Sequence, residues 1–168
     1  MSKTSENLKE AFAGESQANR KYLAFAAKAE KEGYQRVARL FRAAAAAETV
    51  HAHAHLAALG GIGSTADNLK EAVEGETHEF KNMYPGMIAE AQQDGDKVAL
   101  RSFSFANEVE KIHAGLYEKA LEMLADESFT KADTEYYVCG ICGYTCENEP
   151  PDNCPVCKAK AANFSKVD

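Results

Sequence analysis

The chain has 168 residues, 45% hydrophobic and 27% charged, enough apolar material for one ordinary domain with a small appendage. A formal charge of −7 repels a nucleic-acid backbone, and no basic run offers a local exception. The start, Met1-Ser2-Lys3-Thr4-Ser5-Glu6, has no apolar signal region, and no stretch approaches about 18 consecutive apolar residues. A soluble cytoplasmic protein with neither nucleic-acid nor membrane partners is expected.

Residues 8–126 are dominated by Ala, Leu, Glu and Lys, all strong helix formers. Breaks fall at Glu32-Gly33, at Leu59-Gly60-Gly61-Ile62-Gly63-Ser64 and at Gln93-Asp94-Gly95-Asp96. They define four helical stretches of roughly 25–30 residues, each near 40 Å long. Such lengths suit an antiparallel four-helix bundle. Pro85 lies inside the third stretch and should kink it, because proline cannot donate the helical hydrogen bond. An internal repeat runs through the region. Arg39, Phe41, Glu48 and His51 recur 62 residues later as Arg101, Phe103, Glu110 and His113, and Gly14-Glu15-Ser16 recurs as Gly75-Glu76-Thr77. Helices one and two therefore read as a copy of helices three and four.

After residue 126 the character changes. Thr134-Glu135-Tyr136-Tyr137-Val138 is β-prone, and Pro150, Pro151 and Pro155 crowd the segment. The boundary is expected between residues 131 and 134, giving a helical domain over 1–133 and a tail domain over 134–168. A tail of about 35 residues cannot bury a self-sufficient core and needs a staple such as a metal.

The repeat supplies Glu48-x-x-His51 and Glu110-x-x-His113, and positions i and i+3 share one helix face, so each pair can hold one metal ion. The other two helices offer Glu15 and Glu76 at matching depth. One Glu from each of two helices, with Glu-x-x-His from the other two, matches the pattern of ferritin-like di-iron carboxylate bundles. Carboxylate oxygen and imidazole suit iron or manganese better than zinc. Four glutamates balance two divalent cations, which makes a buried, charge-rich centre tolerable. A single Glu-x-x-His is ordinarily a solvated pair, whereas two copies in register argue for a dinuclear site. Glu79 follows Glu76 by three residues and faces the same way. Tyr22, seven residues after Glu15, can donate its hydroxyl to a ligand carboxylate. His55 lies one turn beyond His51, His53 and His78 have no strong placement, and none of the three is expected to be a ligand.

All five cysteines fall between Cys139 and Cys157, which reads as a metal site in a reducing compartment and not as a disulfide framework. Cys139-Gly140-Ile141-Cys142 and Cys154-Pro155-Val156-Cys157 are two C-x2-C turns eleven residues apart, each folding two sulfurs onto one ion. Cys146 is left over as a structural or free thiol. Sulfur tetrahedra bind zinc or iron, and spacing alone does not separate them. A closed four-sulfur site should carry electrons and not bind substrate. Gly61-Ile62-Gly63-Ser64-Thr65-Ala66 matches a dinucleotide fingerprint, but no strand precedes it and the context fails. Reducing equivalents are therefore expected from another protein.

The runs Glu74-Gly75-Glu76-Thr77-His78-Glu79-Phe80-Lys81-Asn82-Met83-Tyr84-Pro85 and Ala13-Gly14-Glu15-Ser16, with Tyr22 and the two cysteine turns, resemble the rubrerythrin family along the whole chain. One departure is Lys158, where rubredoxin knuckles commonly place Gly; a positive φ there costs around 1 kcal/mol and is tolerable. The resemblance implies a mainly α protein, a ferritin-like four-helix bundle with a small C-terminal rubredoxin-like β/loop metal domain. It implies metal ligands Glu15, Glu48, His51, Glu76, Glu79, Glu110 and His113 in the bundle and Cys139, Cys142, Cys154 and Cys157 in the tail. Three iron ions per chain follow, two in the bundle and one on the cysteines. Glu79 becomes an extra ligand, one iron moving between it and His51 with oxidation state, and Tyr84 joins Tyr22 beside the centre. The implied activity is a peroxidase reducing hydrogen peroxide to water in oxidative-stress defence. Electrons would come from rubredoxin or an NADH-dependent reductase, in a homodimer where the tail of one chain serves the bundle of the other. Two further readings stand beside it: a ferroxidase or iron-storage protein, which would require neither Glu79 nor the tail, and a zinc-ribbon interaction module, which leaves the matched carboxylates unexplained.

Overall fold

The computed structural model describes residues 2–167. The chain divides into two compact units, one ending at Gly63 and the other beginning at Ser64. The first unit is a helical hairpin of α1 (Lys3–Lys31) and α2 (Gln35–Ala58). Ser2 caps α1 by accepting from the Ser5 amide, which satisfies one of the orphan N–H groups of the first turn. Gly33, at φ +85°, ends the helix in a Schellman turn, with Gly33 N–H donating to Glu30 and Tyr34 N–H to Ala29. The helices then run antiparallel, as the Arg42–Glu30 ion pair near the turn and the Asn19–Thr49 hydrogen bond further along require. Ala38, Ala45 and Ala52 recur at seven-residue spacing along α2 and are almost wholly buried, so the two backbones approach closely. Buried Asn19 ties the hairpin, its amide donating to Ala45 O at 2.7 Å and Thr49 Oγ1 at 2.8 Å.

The second unit opens with α3 (Thr65–His78), capped by Ser64, which accepts the Asp67 amide. A π-helical turn, Glu79–Met83, leads into α4 (Tyr84–Asp94). Gly95 at φ +70° turns the chain, and Asp96 caps α5 (Lys97–Glu122) by accepting from Val98 and Ala99. The expected effect of Pro85 is thus realised differently. The proline sits in the first turn of α4, where its missing N–H is no loss, and the widened turn ahead of it relieves the ring clash. A short helix α6 (Glu127–Thr130) precedes the tail. There, β1 (Tyr136–Cys139) is the central strand of an antiparallel sheet ordered β2-β1-β3, with β2 at Thr145–Glu147 and β3 at Phe164–Val167. The tail lies against α5: Lys119 pairs with Glu147 at 2.6 Å, and Gly143 approaches Val109. Among the described residues, no helix is long and apolar enough to cross a membrane.

Candidate metal centres

In the first unit, α1 delivers Glu15 and α2 delivers Glu48 and His51, with one ligand atom of each within 4.8 Å of the others. His51 Nδ1 lies 2.9 Å from Glu48 Oε2 and 3.9 Å from Glu15 Oε1. In the second unit, Glu76, Glu110 and His113 form the same triad, His113 Nδ1 lying 2.8 Å from Glu110 Oε2 and 3.8 Å from Glu76 Oε1. The sequence repeat is therefore a repeat of geometry to about 0.1 Å. In both triads Nδ1 is the nitrogen turned to the carboxylates.

The surroundings differ. His113 is 27% exposed against 55% for His51, because the tail covers it. Thr145 Oγ1, from β2, lies 3.0 Å from His113 Nε2 and donates in turn to Gly143 O at 3.1 Å. Because the Thr145 hydroxyl hydrogen goes to Gly143 O, its oxygen can accept from a protonated Nε2, and the tautomer with its single proton there leaves the Nδ1 lone pair for a metal. The tail thus meets His113 of its own chain. Thr145 is the residue sequence reasoning missed. It is separated from His113 by 32 positions and belongs to no motif.

Burial and the neighbouring Glu110 carboxylate push the Glu76 carboxyl above its ordinary range, and Glu79 adds to the same effect. Tyr84, which an uninterrupted helix would place well round from Glu79, is stacked over it by the π turn, whose defining hydrogen bond runs from Tyr84 N–H to Glu79 O. Burial first, then the charges of Glu79, Glu110 and Glu76, raise the Tyr84 phenol and keep it protonated. Glu79 thus lies close to the triad without being one of its three members. Tyr22 packs against Phe25 and Phe41, with centroids at 6.4 and 6.1 Å. His53, His55 and His78 belong to neither triad.

Cys139, Cys142, Cys154 and Cys157 bring four sulfurs within 4.8 Å of one another. The Cys139–Cys157 and Cys142–Cys154 pairs are 3.6 Å apart. A tetrahedron with metal–sulfur bonds of about 2.3 Å has edges of about 3.8 Å, so the cage fits a single ion. The knuckles are copies of each other: Gly143 N–H donates to Cys139 O, and Lys158 N–H donates to Cys154 O. Gly143 has φ +87° and Lys158 φ +65°, so the lysine takes the glycine's conformation, as the departure from the knuckle pattern anticipated. Burial pushes the Cys142 thiol up, which a bound cation would reverse by holding the thiolate. Cys146 lies outside the cage, its thiol directed to Glu149 O.

Matched helical Glu/Glu/His triads and a closed four-thiolate cage are the donor sets of a metal-binding protein, and both are consistent with iron. Residues 6–121 match the rubrerythrin family model, and residues 137–165 match the rubredoxin-like domain of rubrerythrin. The chain is 37% identical to Rubrerythrin-2 of Clostridium acetobutylicum over 96% of its own length and 95% of that protein's. It is 35% identical to nigerythrin of Nitratidesulfovibrio vulgaris, over 92% and 81% of the two chains. A partially reduced structure of nigerythrin superposes with a TM-score of 0.59 at 34% identity, covering 99% of this chain and 88% of that one. The chain belongs to the rubrerythrin family. Its fold class is mainly α, ferritin-like, with a small rubredoxin-like domain at the C-terminal end.

Proposed function

We propose that this protein reduces hydrogen peroxide to water, consuming two electrons and two protons per peroxide. The observation that supports it is one chain carrying both a duplicated Glu/Glu/His triad and a four-thiolate cage. Iron is the metal favoured by the carboxylate and imidazole donors, and nigerythrin, a relative, has been solved in an all-ferrous state. In this reading Glu15, Glu48 and His51 meet Glu76, Glu110 and His113 at one dinuclear centre, Glu79 adds a seventh ligand, and Cys139, Cys142, Cys154 and Cys157 hold a third iron. The helical domain is 1–133 and the electron-carrying domain 134–168.

Bound iron supplies the electrons that break the O–O bond. The chain's own residues orient the ligands and manage protons. Thr145 holds the ring of His113 through Nε2, leaving Nδ1 for metal. Tyr84 keeps its proton beside Glu76, Glu79 and Glu110 and is placed to donate a hydrogen bond to a carboxylate; Tyr22 has the corresponding role in the first unit. Electrons enter at the tail from rubredoxin or an NADH-dependent reductase, and the protein works in the cytoplasm as a homodimer. Peroxide consumption by iron-loaded protein with a supplied reductase tests the proposal, Glu110→Ala being expected to abolish turnover. Sustained uptake of ferrous iron into a mineral without peroxide turnover would favour the ferroxidase reading.

A further inference from the structure

We infer that two open recesses between α5 and the cysteine knuckles form one docking face for an acidic one-electron carrier protein. The inference rests on the reading that the four-thiolate cage holds an electron-accepting iron, and adds where its donor sits and what charge that donor carries. Both recesses lie within the second compact unit. The first, of about 500 Å³, is lined by Lys97, Val98, Arg101 and Phe105 of α5 and by Ile141 of the first knuckle. The second, of about 550 Å³, runs from Phe105 past Lys111 and Ile112 to Pro155 and Val156 of the other knuckle. Phe105 belongs to both, so the face is continuous from one cysteine turn to the other.

The face borders the accessible half of the cage. Cys139 and Cys154 are 1% and 0% exposed, whereas Cys142 and Cys157 are half-buried. Cys139 is closed in by β3, where it pairs with Phe164. Ile141 and Val156, which line the recesses, each directly precede one of the two accessible sulfurs. Val98 and Ile141 are 83% and 49% exposed and give the first recess apolar walls. Exposed apolar residues ringed by charge, with an arginine and an aromatic at the centre, have the composition of a protein contact.

Charge selects the partner. In a chain of formal charge −7, the recesses are lined by three cations, Lys97, Arg101 and Lys111, against one carboxylate, Glu108. Glu108 pairs with Lys111 at 2.6 Å, while Lys97 and Arg101 form no ion pair with a described residue. Arg101 lies over the Phe105 ring, 5.2 Å from its centroid, which holds the guanidinium on apolar ground. Asp96, beside Lys97 in sequence, is turned back on α5, accepting from Val98 and Ala99. Two unpaired cations so placed attract an anionic surface and speed encounter with it. A second copy would present the same cations across a twofold contact and be repelled. A free nucleotide would engage Lys97 and Arg101 and leave the second recess empty. A carrier seated on the face passes one electron to the cage, the carrier being oxidised by one electron as ferric iron becomes ferrous.

The test mixes the full iron-loaded, oxidised protein in a stopped-flow spectrometer with flavodoxin hydroquinone, an acidic protein carrier. Dihydro-FMN and durohydroquinone serve as small donors. Tail bleaching by flavodoxin should slow about tenfold or more between roughly 20 and 300 mM salt. Lys97→Glu/Arg101→Glu should slow it about tenfold or more at low salt and erase the salt dependence. Lys3→Glu/Lys9→Glu, the same change of net charge on α1, should alter it little. Val98→Ser should slow it about fourfold at every salt concentration, the worth of one methyl group withdrawn from water. Durohydroquinone, small and uncharged, should bleach every variant at the native rate. Flavodoxin rates untouched by the Lys97/Arg101 reversal would overturn the inference. So would a reversal that slows dihydro-FMN alone, which assigns the site to a nucleotide, or one that dissociates a dimer in sedimentation, which assigns it to a second copy. A native tail that holds zinc, or that no donor bleaches, defeats the electron-accepting reading, and binding then decides the docking face. Amide shifts of labelled protein titrated with oxidised flavodoxin should cluster at residues 97–112, 141 and 155–156. Shifts that are absent or cluster elsewhere overturn the inference.

Discussion

Replacing Thr145 with Val removes one hydroxyl and little else. Valine matches threonine in shape and suits β2, where position 145 pairs with Val138. The change takes the acceptor from His113 Nε2 at 3.0 Å and the donor from Gly143 O at 3.1 Å. Each neutral hydrogen bond contributes about 1 kcal/mol net, and His113 is only 27% exposed, so water replaces the lost partner incompletely. A loss of about 1.4 kcal/mol at the ring corresponds to about tenfold in iron affinity, at the low end of what partners of metal-bound histidines contribute. Ferrous titration against a competing chelator should show one bundle iron held about tenfold more weakly and the tail iron unchanged. Thr145→Ser should restore native affinity. A Thr145→Val protein that binds both bundle irons as tightly as the native chain would refute the role given to this hydroxyl.

Three other outcomes follow from the same geometry. Cys157→Ser should remove the tail chromophore while leaving bundle iron in place, as paired metal analysis and visible spectra will show; zinc in the native tail would end its electron-transfer role. Glu79→Ala should still load the bundle, since Glu15, Glu48, His51, Glu76, Glu110 and His113 remain, but should slow peroxide reduction by destabilising the oxidised centre, where an anionic ligand is preferred. Unchanged oxidised-state spectra and turnover would contradict this. Glu135 is held below the ordinary carboxylate range, chiefly by its hydrogen bonds from Lys166 and Tyr137. A depressed folded-state pKa stabilises above the unfolded value and loses that contribution as pH falls through the folded one. Protection factors of the β1 and β3 amides, exchange being corrected for its intrinsic rate at each pH, should therefore fall in acid below the usual carboxylate range, and Glu135→Gln should flatten that dependence.

The triads were legible in the sequence because metal ligation on a helix has a fixed spacing. Glu48 and His51, or Glu110 and His113, need only i and i+3 to share a face, and duplication supplied the register of Glu15 and Glu76. The cysteine cage was legible because a C-x2-C turn has a fixed spacing of its own, down to Lys158 taking a positive φ. The π turn was not. Pro85 announced a disturbance of the helix, yet whether a helix kinks or widens depends on which side chains the adjustment brings inward. Here widening stacks Tyr84 over Glu79. Contacts between distant segments left no trace. Thr145 reaches His113 and Asn19 ties Ala45 and Thr49, and neither pairing is encoded in a local pattern.

The most direct test is a single-turnover experiment on the fully iron-loaded, fully reduced protein. It is mixed anaerobically with hydrogen peroxide in a stopped-flow spectrometer, with bundle and tail absorption followed together. The account predicts two-electron oxidation of the bundle pair by one peroxide equivalent, followed by slower appearance of the oxidised four-thiolate colour as the tail iron returns one electron to the pair and leaves it half re-reduced. A bundle pair that survives peroxide in its reduced form, or a tail that oxidises at the same rate in Glu110→Ala protein, would contradict it.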